Sequence, residues 1–228
     1  MAKYPHPPET GTLQAVAPEI RTLDSGTRVY RIFQSSSQHE PYWNTFRFFG
    51  PTSSRFDHQL PDEYGQPQVA ERGILYGAVG AEAIPTCIAE FFQNTGTIDR
   101  HTGSPVLCAF TLEHPLHLLD LSGAFLTNMG MSIPLNAGTR PWARCWTQKL
   151  YEAYAQIHGI YYCSSSYGNH PAIALFERAR LSMPDYPDFH RLLSDPALDD
   201  TIITMANTVG YLLDDLHALG NRFSQTST

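Results

Sequence analysis

Several signatures that would assign a function directly are missing from this sequence. No GxGxxG opens a helix after a strand and no GxxxxGK[ST] occurs, which argues against a Rossmann dinucleotide site and a P-loop. Neither HExxH nor GxSxG is present, so the sequence offers no zincin helix and no hydrolase nucleophile elbow. Any activity must therefore depend on residues scattered along the chain.

Cysteine and charge are also sparse. The four cysteines form no CxxC pair, so neither a zinc ribbon nor a disulfide framework is expected, and no metal site is predicted. No apolar run approaches the roughly 18 residues of a membrane span, and the N-terminus lacks the apolar core of a signal peptide. A net charge of −7 does not favour direct nucleic-acid binding. A cytoplasmic protein is the expectation.

What is present indicates one packed core. The chain has 228 residues, of which 42% are hydrophobic and 12% aromatic. Several short strands with two or three helices, without strict βαβ alternation, predict an α+β fold. No Ser/Gly-rich linker divides the chain, so we predict a single domain over residues 21–220. A Pro-rich extended arm is expected at 1–20 and a tail at 221–228.

The stretch 73–96 carries the first candidate for chemistry. Residues 74–79 are strand-like, and a helix is predicted to open near Pro85 and to end before Gly96. Glu90 lies among the apolar residues of this helix, where a carboxylate is costly unless it is paired or used. The alternative is a carboxylate at the edge of the apolar stripe that reaches solvent.

A second candidate lies on the alternating stretch 28–33, which predicts a strand. Arg31 would share a face with two apolar residues, which is unusual for a solvated strand. The alternative is an edge strand with a snorkelling arginine. Arg28 competes with Arg31 for any functional role on this strand.

Residues 34–72 are rich in turn residues and are predicted to be irregular. The many aromatic residues argue against disorder, so this segment is expected to form a packed loop wall. Within it, Arg55 stands beside Phe56, which places a guanidinium next to an aromatic ring.

The last candidate follows the strand predicted at 160–163, where Ser164 begins a serine run. Hydroxyls at such a turn are accessible. An ordinary turn residue is the alternative, and the choice between Ser164, Ser165 and Ser166 stays open. Before this strand, residues 140–157 show the apolar stripe of a long helix.

Together these polar residues suit one type of substrate. Two arginines, Arg31 and Arg55, can hold a diphosphate through forked hydrogen bonds, and Tyr76 can stack on a planar ring. A lone carboxylate, Glu90, can stabilise the oxocarbenium-like state that forms as a glycosidic bond breaks. A hydroxyl such as that of Ser164 can orient the substrate. The set therefore suggests cleavage of an N-glycosidic bond in a dinucleotide.

The same residues, in this order, resemble the RES-domain family, named for its Arg, Glu and Ser. The resemblance covers about residues 28–213 and rests on short pieces rather than on one motif. The pieces are 29–32 (VYRI), 54–56 (SRF), 75–78 (LYGA), 86–90 (TCIAE), 119–121 (LDL), 159–164 (GIYYCS) and 174–176 (ALF).

The resemblance implies an ADP-ribosyltransferase-like fold of mixed sheets with flanking helices. It implies an NAD⁺ glycohydrolase or phosphorylase, and the toxin of a toxin–antitoxin pair held inactive by an Xre-type antitoxin. NAD⁺ would be the substrate, with no cofactor and with inorganic phosphate as an optional co-substrate. Arg31, Glu90 and Ser164 carry over as the catalytic trio, and the NAD⁺ pocket would be lined by Arg55, Tyr76 and Phe56.

Two alternatives stay open at this point. The first is an ADP-ribosyltransferase that modifies a macromolecule with the same pocket. The second is a non-enzymatic module that binds a partner through the arm and the aromatic loop. The sequence decides neither the acceptor nor the oligomeric state, and a homo-oligomer is left open.

Overall fold

The computed structural model of the protein describes residues 5–36, 42–131 and 135–214. The predicted tail at 221–228 and the first four residues of the predicted arm lie outside these ranges. The strands are β1 (Ile20–Leu23), β2 (Arg28–Gln34), β3 (Arg47–Gly50), β4 (Gln68–Val79), β5 (Thr97–Asp99), β6 (Pro105–Thr111), β7 (Leu116–Asp120), β8 (Gly159–Cys163), β9 (Pro171–Phe176), β10 (Phe189–Leu192) and β11 (Leu212–Asp214). The helices are α1 (Thr10–Gln14), α2 (Ala83–Phe92), α3 (Phe125–Asn128), α4 (Arg140–Ala153) and α5 (Asp199–Val209), with two 3₁₀ turns at Glu177–Ser182 and Pro196–Leu198.

One large mixed sheet organises this part of the chain. Its strand order is β1-β7-β8-β9-β4-β2-β6-β10, and β3 pairs with β4 beside this path. The β7–β8 pair is parallel, whereas the other pairs of this sheet are antiparallel. A parallel pair of β5 and β11 forms a second, small sheet. The sequence prediction of an α+β fold with mixed sheets and flanking helices is confirmed.

Helices α2 and α4 pack against the large sheet through their apolar faces. The face of α4 that includes Trp146 and Leu150 packs with Ile160 and Phe176 in one core cluster. Helices α2 and α5 pack together in a separate cluster that includes Ile88 and Ile202. Glu90 therefore projects from a helix that packs against both β2 and α5.

Strands β2 and β4 separate after a short contact, and this separation creates the main cavity. They pair only at Val29–Val79 and Tyr30–Ala78, although β2 continues to pair with β6 along its whole length. A Cβ added at Gly77 would lie 2.8 Å from the carbonyl oxygen of Tyr30, so glycine permits the close approach where the strands diverge. Beyond this point the facing edges of β2 and β4 line an open space.

Three sequence expectations need correction. β2 lies between β4 and β6 and is not an edge strand, so Arg31 is buried rather than snorkelling. The segment 34–72 is not irregular throughout, because β3 and the first half of β4 fall within it. Helix α4 ends at Ala153 and not near residue 157, since the backbone of Tyr154 leaves the helical region.

The N-terminal segment also differs from a fully extended arm. Residues 10–14 form the short helix α1, because Leu13 is apolar and inserts into the core beside α4. The indole nitrogens of Trp142 and Trp146 both donate to the carbonyl oxygen of Pro5, at 2.6 and 3.0 Å. The domain boundary near residue 21 remains a prediction.

Candidate active site

A cavity of about 650 Å³ lies between the separated strands β2 and β4, helix α2, residues 45–56 and the start of α4. This volume lies within the usual range of small-molecule sites, which is about 300–1,000 Å³. The cavity is lined by five of the six residues that the sequence singles out: Arg31, Arg55, Phe56, Tyr76 and Glu90. Residues far apart in the chain are therefore brought to one place, which the spacing of the sequence alone could not show.

Arg31 is a buried cation without an acidic partner in the described part of the chain. Its side chain projects from the middle of β2, and the residue is 8% exposed. Nη1 donates to the carbonyl oxygens of Trp43 at 2.8 Å and Thr45 at 3.4 Å, whereas the buried Nε has no hydrogen-bond partner there. Burial lowers the pKa of Arg31, but a guanidinium stays charged in proteins. An unpaired buried charge that faces a cavity is suited to an anionic ligand.

The alternative arginine on this strand, Arg28, lies outside the site. It is exposed and pairs with Asp188, whose carboxylate oxygen is 3.2 Å from Nε. The alternation of β2 explains the difference between the two arginines, because their odd spacing of three places them on opposite faces. The structure thus favours Arg31 over Arg28.

Glu90 reaches the cavity from α2. Thr86 and Glu90 are four apart on α2 and both line the cavity, as expected for one helical face, and Asn94 lines it from the turn after the helix. The hydroxyl of Ser164 donates to Oε1 of Glu90 at 2.6 Å. The Ser164 oxygen in turn accepts from the backbone N–H groups of Ser166 at 3.1 Å and Tyr167 at 3.2 Å. This chain of hydrogen bonds fixes the orientation of the carboxylate.

The three consecutive serines therefore have different surroundings. Ser164 is fully buried behind Glu90, Ser165 lines the cavity, and the Ser166 hydroxyl lies 3.5 Å from the Gln93 side chain. Only Ser164 makes a short contact with Glu90, so it positions the carboxylate. The predicted contact of Ser164 with substrate remains a prediction.

Tyr76 lines the cavity from β4 with its hydroxyl fixed. The hydroxyl donates to Oδ1 of Asp57 at 3.0 Å and accepts from the backbone N–H of Phe56 at 3.1 Å. Burial, followed by the charge of Asp57, raises the pKa of Tyr76 well above its ordinary value. The phenol stays protonated near neutral pH, and its ring is held as a fixed wall.

Arg55 and Phe56 come from the segment between β3 and β4. Arg55 Nη1 donates to the carbonyl oxygens of Leu135, at 3.3 Å, and of Gly138. Burial, followed by repulsion from Arg140, lowers the pKa of the Arg55 guanidinium, whereas attraction to Glu90 raises it. Phe56 is buried, and its ring centroid lies 4.4 Å from that of Tyr162. Phe56 therefore supports the wall with most of its surface inside the core.

Sequence reasoning missed several residues of this site. Asp57 is fully buried and accepts from Arg47 Nη2 at 2.6 Å as well as from Tyr76, so it fixes two cavity residues at once. Arg140 and Asn136 line the cavity from the start of α4 and the preceding loop. The position of Asp57 directly after Phe56 was the one available signal. No motif marks Arg140 or Asn136.

Two further features bear on the type of site. Within the ranges that the structure covers, no group of three or more His, Cys, Asp or Glu residues could hold a metal ion. Among the helices in those ranges, none is long and apolar enough to cross a membrane.

Comparisons with known proteins give the family. Among solved structures, a chain in the crystal structure of the M. tuberculosis MbcT–MbcA toxin–antitoxin complex is similar, with 13% sequence identity and a TM-score of 0.45. The match covers 75% of this chain and 85% of that chain. A comparison with curated proteins found no match. The family model of the RES domain matches residues 28–194, which include all six predicted site residues, and the chain therefore belongs to the RES-domain family.

Proposed function

We propose that this protein is an enzyme that cleaves the nicotinamide–ribose bond of NAD⁺. One observation carries the proposal. The Glu90 carboxylate, oriented by Ser164, faces the same cavity as Arg31, a buried guanidinium without an acidic partner among the described residues. Such a site can hold a negative group at one position and stabilise a developing positive charge at another.

The binding part of the proposal uses the cationic residues. Arg31 and Arg55 hold the diphosphate through charge-assisted, forked hydrogen bonds. Tyr76 stacks on the nicotinamide ring, since its hydroxyl is engaged by Asp57 and its ring faces the cavity. Phe56 lines the same pocket.

In the chemical step, the bond between C1′ of the ribose and the nicotinamide nitrogen breaks. Both electrons of the bond leave with the nitrogen, so nicotinamide departs as a neutral base and the ribose becomes an oxocarbenium-like cation. Glu90 stabilises this cation electrostatically, and Ser164 keeps the carboxylate in place. Water, which then loses a proton, or inorganic phosphate adds to the same carbon, giving ADP-ribose or ADP-ribose 1″-phosphate. NAD⁺ is the substrate, and no cofactor takes part.

The biological setting is proposed from the family resemblance. In this setting the protein is a cytoplasmic toxin, and an Xre-type antitoxin restrains its activity. ADP-ribosyl transfer to a macromolecule would use the same carboxylate, and label from NAD⁺ appearing on protein or nucleic acid would identify it.

The test is release of free nicotinamide by purified protein, with and without phosphate. We expect Glu90→Gln to lower kcat about 10²- to 10³-fold, because the neutral amide no longer stabilises the cation. Ser164→Ala should lower kcat by about tenfold or more, since a hydrogen bond to a charged group is worth about 1.5–3 kcal/mol.

The matched control is Glu82→Gln. Glu82 precedes the same helix, accepts from the Tyr167 hydroxyl and lies outside the cavity lining, so its variant should retain activity. Absence of nicotinamide release by the wild-type protein, or full activity of Glu90→Gln, would contradict the proposal.

A further inference from the structure

Arg140 occupies a position that the family motifs do not explain. It is the first residue of α4, and its side chain lines the cavity. Arg55 donates to the carbonyl oxygens of Leu135 and Gly138, which belong to the loop just before this helix. The two guanidinium groups are therefore held at the same side of the cavity, by the loop and by the helix that follows it.

The hydrogen bonds of Arg140 connect it to Glu90. Its Nη2 donates to Oε1 of Gln93 at 2.9 Å and lies 3.5 Å from Oδ1 of Asn94. Gln93 Nε2 donates to the backbone oxygen of Glu90 at 2.7 Å and lies 3.4 Å from its Oε2. Arg140 is thus one side chain removed from the proposed catalytic carboxylate.

Both arginines keep donors for a ligand. Within the described ranges, no aspartate or glutamate lies within ion-pair distance of Arg55 or Arg140. Their partners there are neutral oxygens, which use only Nη1 of Arg55 and Nη2 of Arg140. The repulsion between the two guanidinium groups acts on Arg55 more strongly than the attraction of Glu90, and an anion bound between the two arginines removes this repulsion.

We propose that Arg55 and Arg140 form a subsite for a phosphoryl group at the Glu90 end of the cavity. A carboxylate is satisfied by one guanidinium fork, whereas the non-bridging oxygens of a diphosphate, or the oxygens of a free phosphate ion, can accept from two forks at once. The subsite deepens the proposed function. The phosphoryl group is either one phosphate of the bound dinucleotide or a free phosphate ion, and these two sources predict different kinetics.

The experiment compares Arg140→Gln with the matched control Arg144→Gln. Arg144 is one turn further along the same helix and is outside the cavity lining. Its Nη1 makes a long hydrogen bond of 3.5 Å to the carbonyl oxygen of Ser54. Nicotinamide release is measured at varied NAD⁺ without phosphate, and at fixed NAD⁺ with varied phosphate. Thermal unfolding of each variant verifies the fold, and Arg140→Lys provides a conservative variant.

The two sources give distinct results. If Arg140 holds a phosphate of the dinucleotide, Arg140→Gln raises KM for NAD⁺ about 10- to 100-fold without phosphate, and Arg140→Lys recovers part of this loss. If it holds free phosphate, KM for NAD⁺ is unchanged, and the phosphate concentration needed for formation of the phosphorylated product rises by a similar factor. Equal behaviour of Arg140→Gln and Arg144→Gln in both series overturns the subsite.

A binding measurement separates this inference from the proposed function. Calorimetric titration of wild type and Arg140→Gln with ADP-ribose and with inorganic phosphate needs no turnover. A loss of affinity for either ligand of about tenfold supports the subsite even if the wild-type protein releases no nicotinamide. Unchanged affinity for both ligands overturns the subsite even if the enzyme is active.

Discussion

Two polar regions of this protein differ in whether their arginines are paired with acidic residues. In the cavity, Arg31 and Arg55 bind only neutral oxygens among the described residues. Beside it lies a second region, the polar anchor, formed by Asp57–Gln59 and the groups that contact these three buried residues. Here Arg47 pairs with Asp57 at 2.6 Å, and Arg72, which donates to the His58 carbonyl oxygen, pairs with Glu152 at 3.1 Å.

The difference separates groups that hold the fold from groups that are available to a ligand. In the polar anchor the charges are paired with each other, although both ring nitrogens of His58 and Oε1 of Gln59 have no hydrogen-bond partner among the described residues. Side-chain bonds from Arg72 and Gln148 to the carbonyl oxygens of His58 and Gln59 join this segment to β4 and α4. In the cavity, the cost of a buried, unpaired cation is retained in the free protein. Such a cost is reasonable only where a bound anion removes it, as the proposed function requires.

Replacing one arginine in each region should give the largest difference between them. We expect Arg31→Met to lower kcat/KM for NAD⁺ by about 100-fold, through loss of charge-assisted bonds to the diphosphate. The same variant should gain about 1 kcal/mol in free energy of unfolding, because an unpaired buried charge is replaced by an apolar side chain of similar length.

Arg72→Met is the matched variant in the polar anchor. It should lose about 1 kcal/mol in free energy of unfolding and retain activity, since it removes an ion pair and a stacking contact with Tyr151. Denaturant unfolding and initial-rate kinetics on both proteins test the pair of expectations. A loss of more than about 2 kcal/mol in Arg31→Met would show that Arg31 supports the fold as Arg72 does.

A second variant tests the junction between the two regions. Asp57→Asn should lower the free energy of unfolding by about 2–3 kcal/mol, because a buried charge pair is broken while Arg47 remains partly exposed. The amide also turns a donor toward Thr52, whose N–H and hydroxyl both donate to Asp57 Oδ2. Denaturant unfolding measures the loss, and Asp185→Asn, at an exposed position, is the control. Equal stability of the two variants would contradict the junction role.

The smallest expected effect is a pH dependence from the polar anchor. Burial by itself would raise the pKa of Glu177, but the nearby His58 ring and the Tyr151 hydroxyl outweigh it and lower this pKa from 4.5 to about 2. The Gly73 N–H adds a hydrogen bond at 2.9 Å. Since the pKa is depressed in the folded state, Glu177 contributes stability above about pH 4.5, and this contribution is lost as the pH falls through about 2.

Glu177→Gln tests this dependence, because an amide does not titrate in that range. Unfolding midpoints should differ most between wild type and variant near pH 6, and the difference should shrink by about pH 2.5. Parallel stability curves over this range would show that Glu177 is not the group responsible.

Much of the secondary structure could be predicted, because it depends on local patterns. The strands predicted at residues 28–33, 74–79 and 160–163 are present as parts of β2, β4 and β8. The end of α4 was misplaced, because the apolar stripe continues to residue 157 although the helix does not. Tertiary contacts of Tyr154, whose hydroxyl donates to the Leu13 carbonyl oxygen, lie outside any local pattern.

The candidate site was predictable only as a set of residues. The sequence, through its family resemblance, determined that Arg31, Arg55, Phe56, Tyr76, Glu90 and Ser164 belong together. It also determined β2, β4 and α2, which carry Arg31, Tyr76 and Glu90, because periodicity and glycine or proline positions are local properties.

The tertiary structure alone decided how these residues are used. It shows that β2 and β4 separate to open the cavity, that Ser164 rather than Ser165 contacts Glu90, and that Arg31 lacks an acidic partner in the described chain. These features depend on which strands pair and where they diverge. Such pairing joins residues tens of positions apart, and no local spacing in the sequence encodes it.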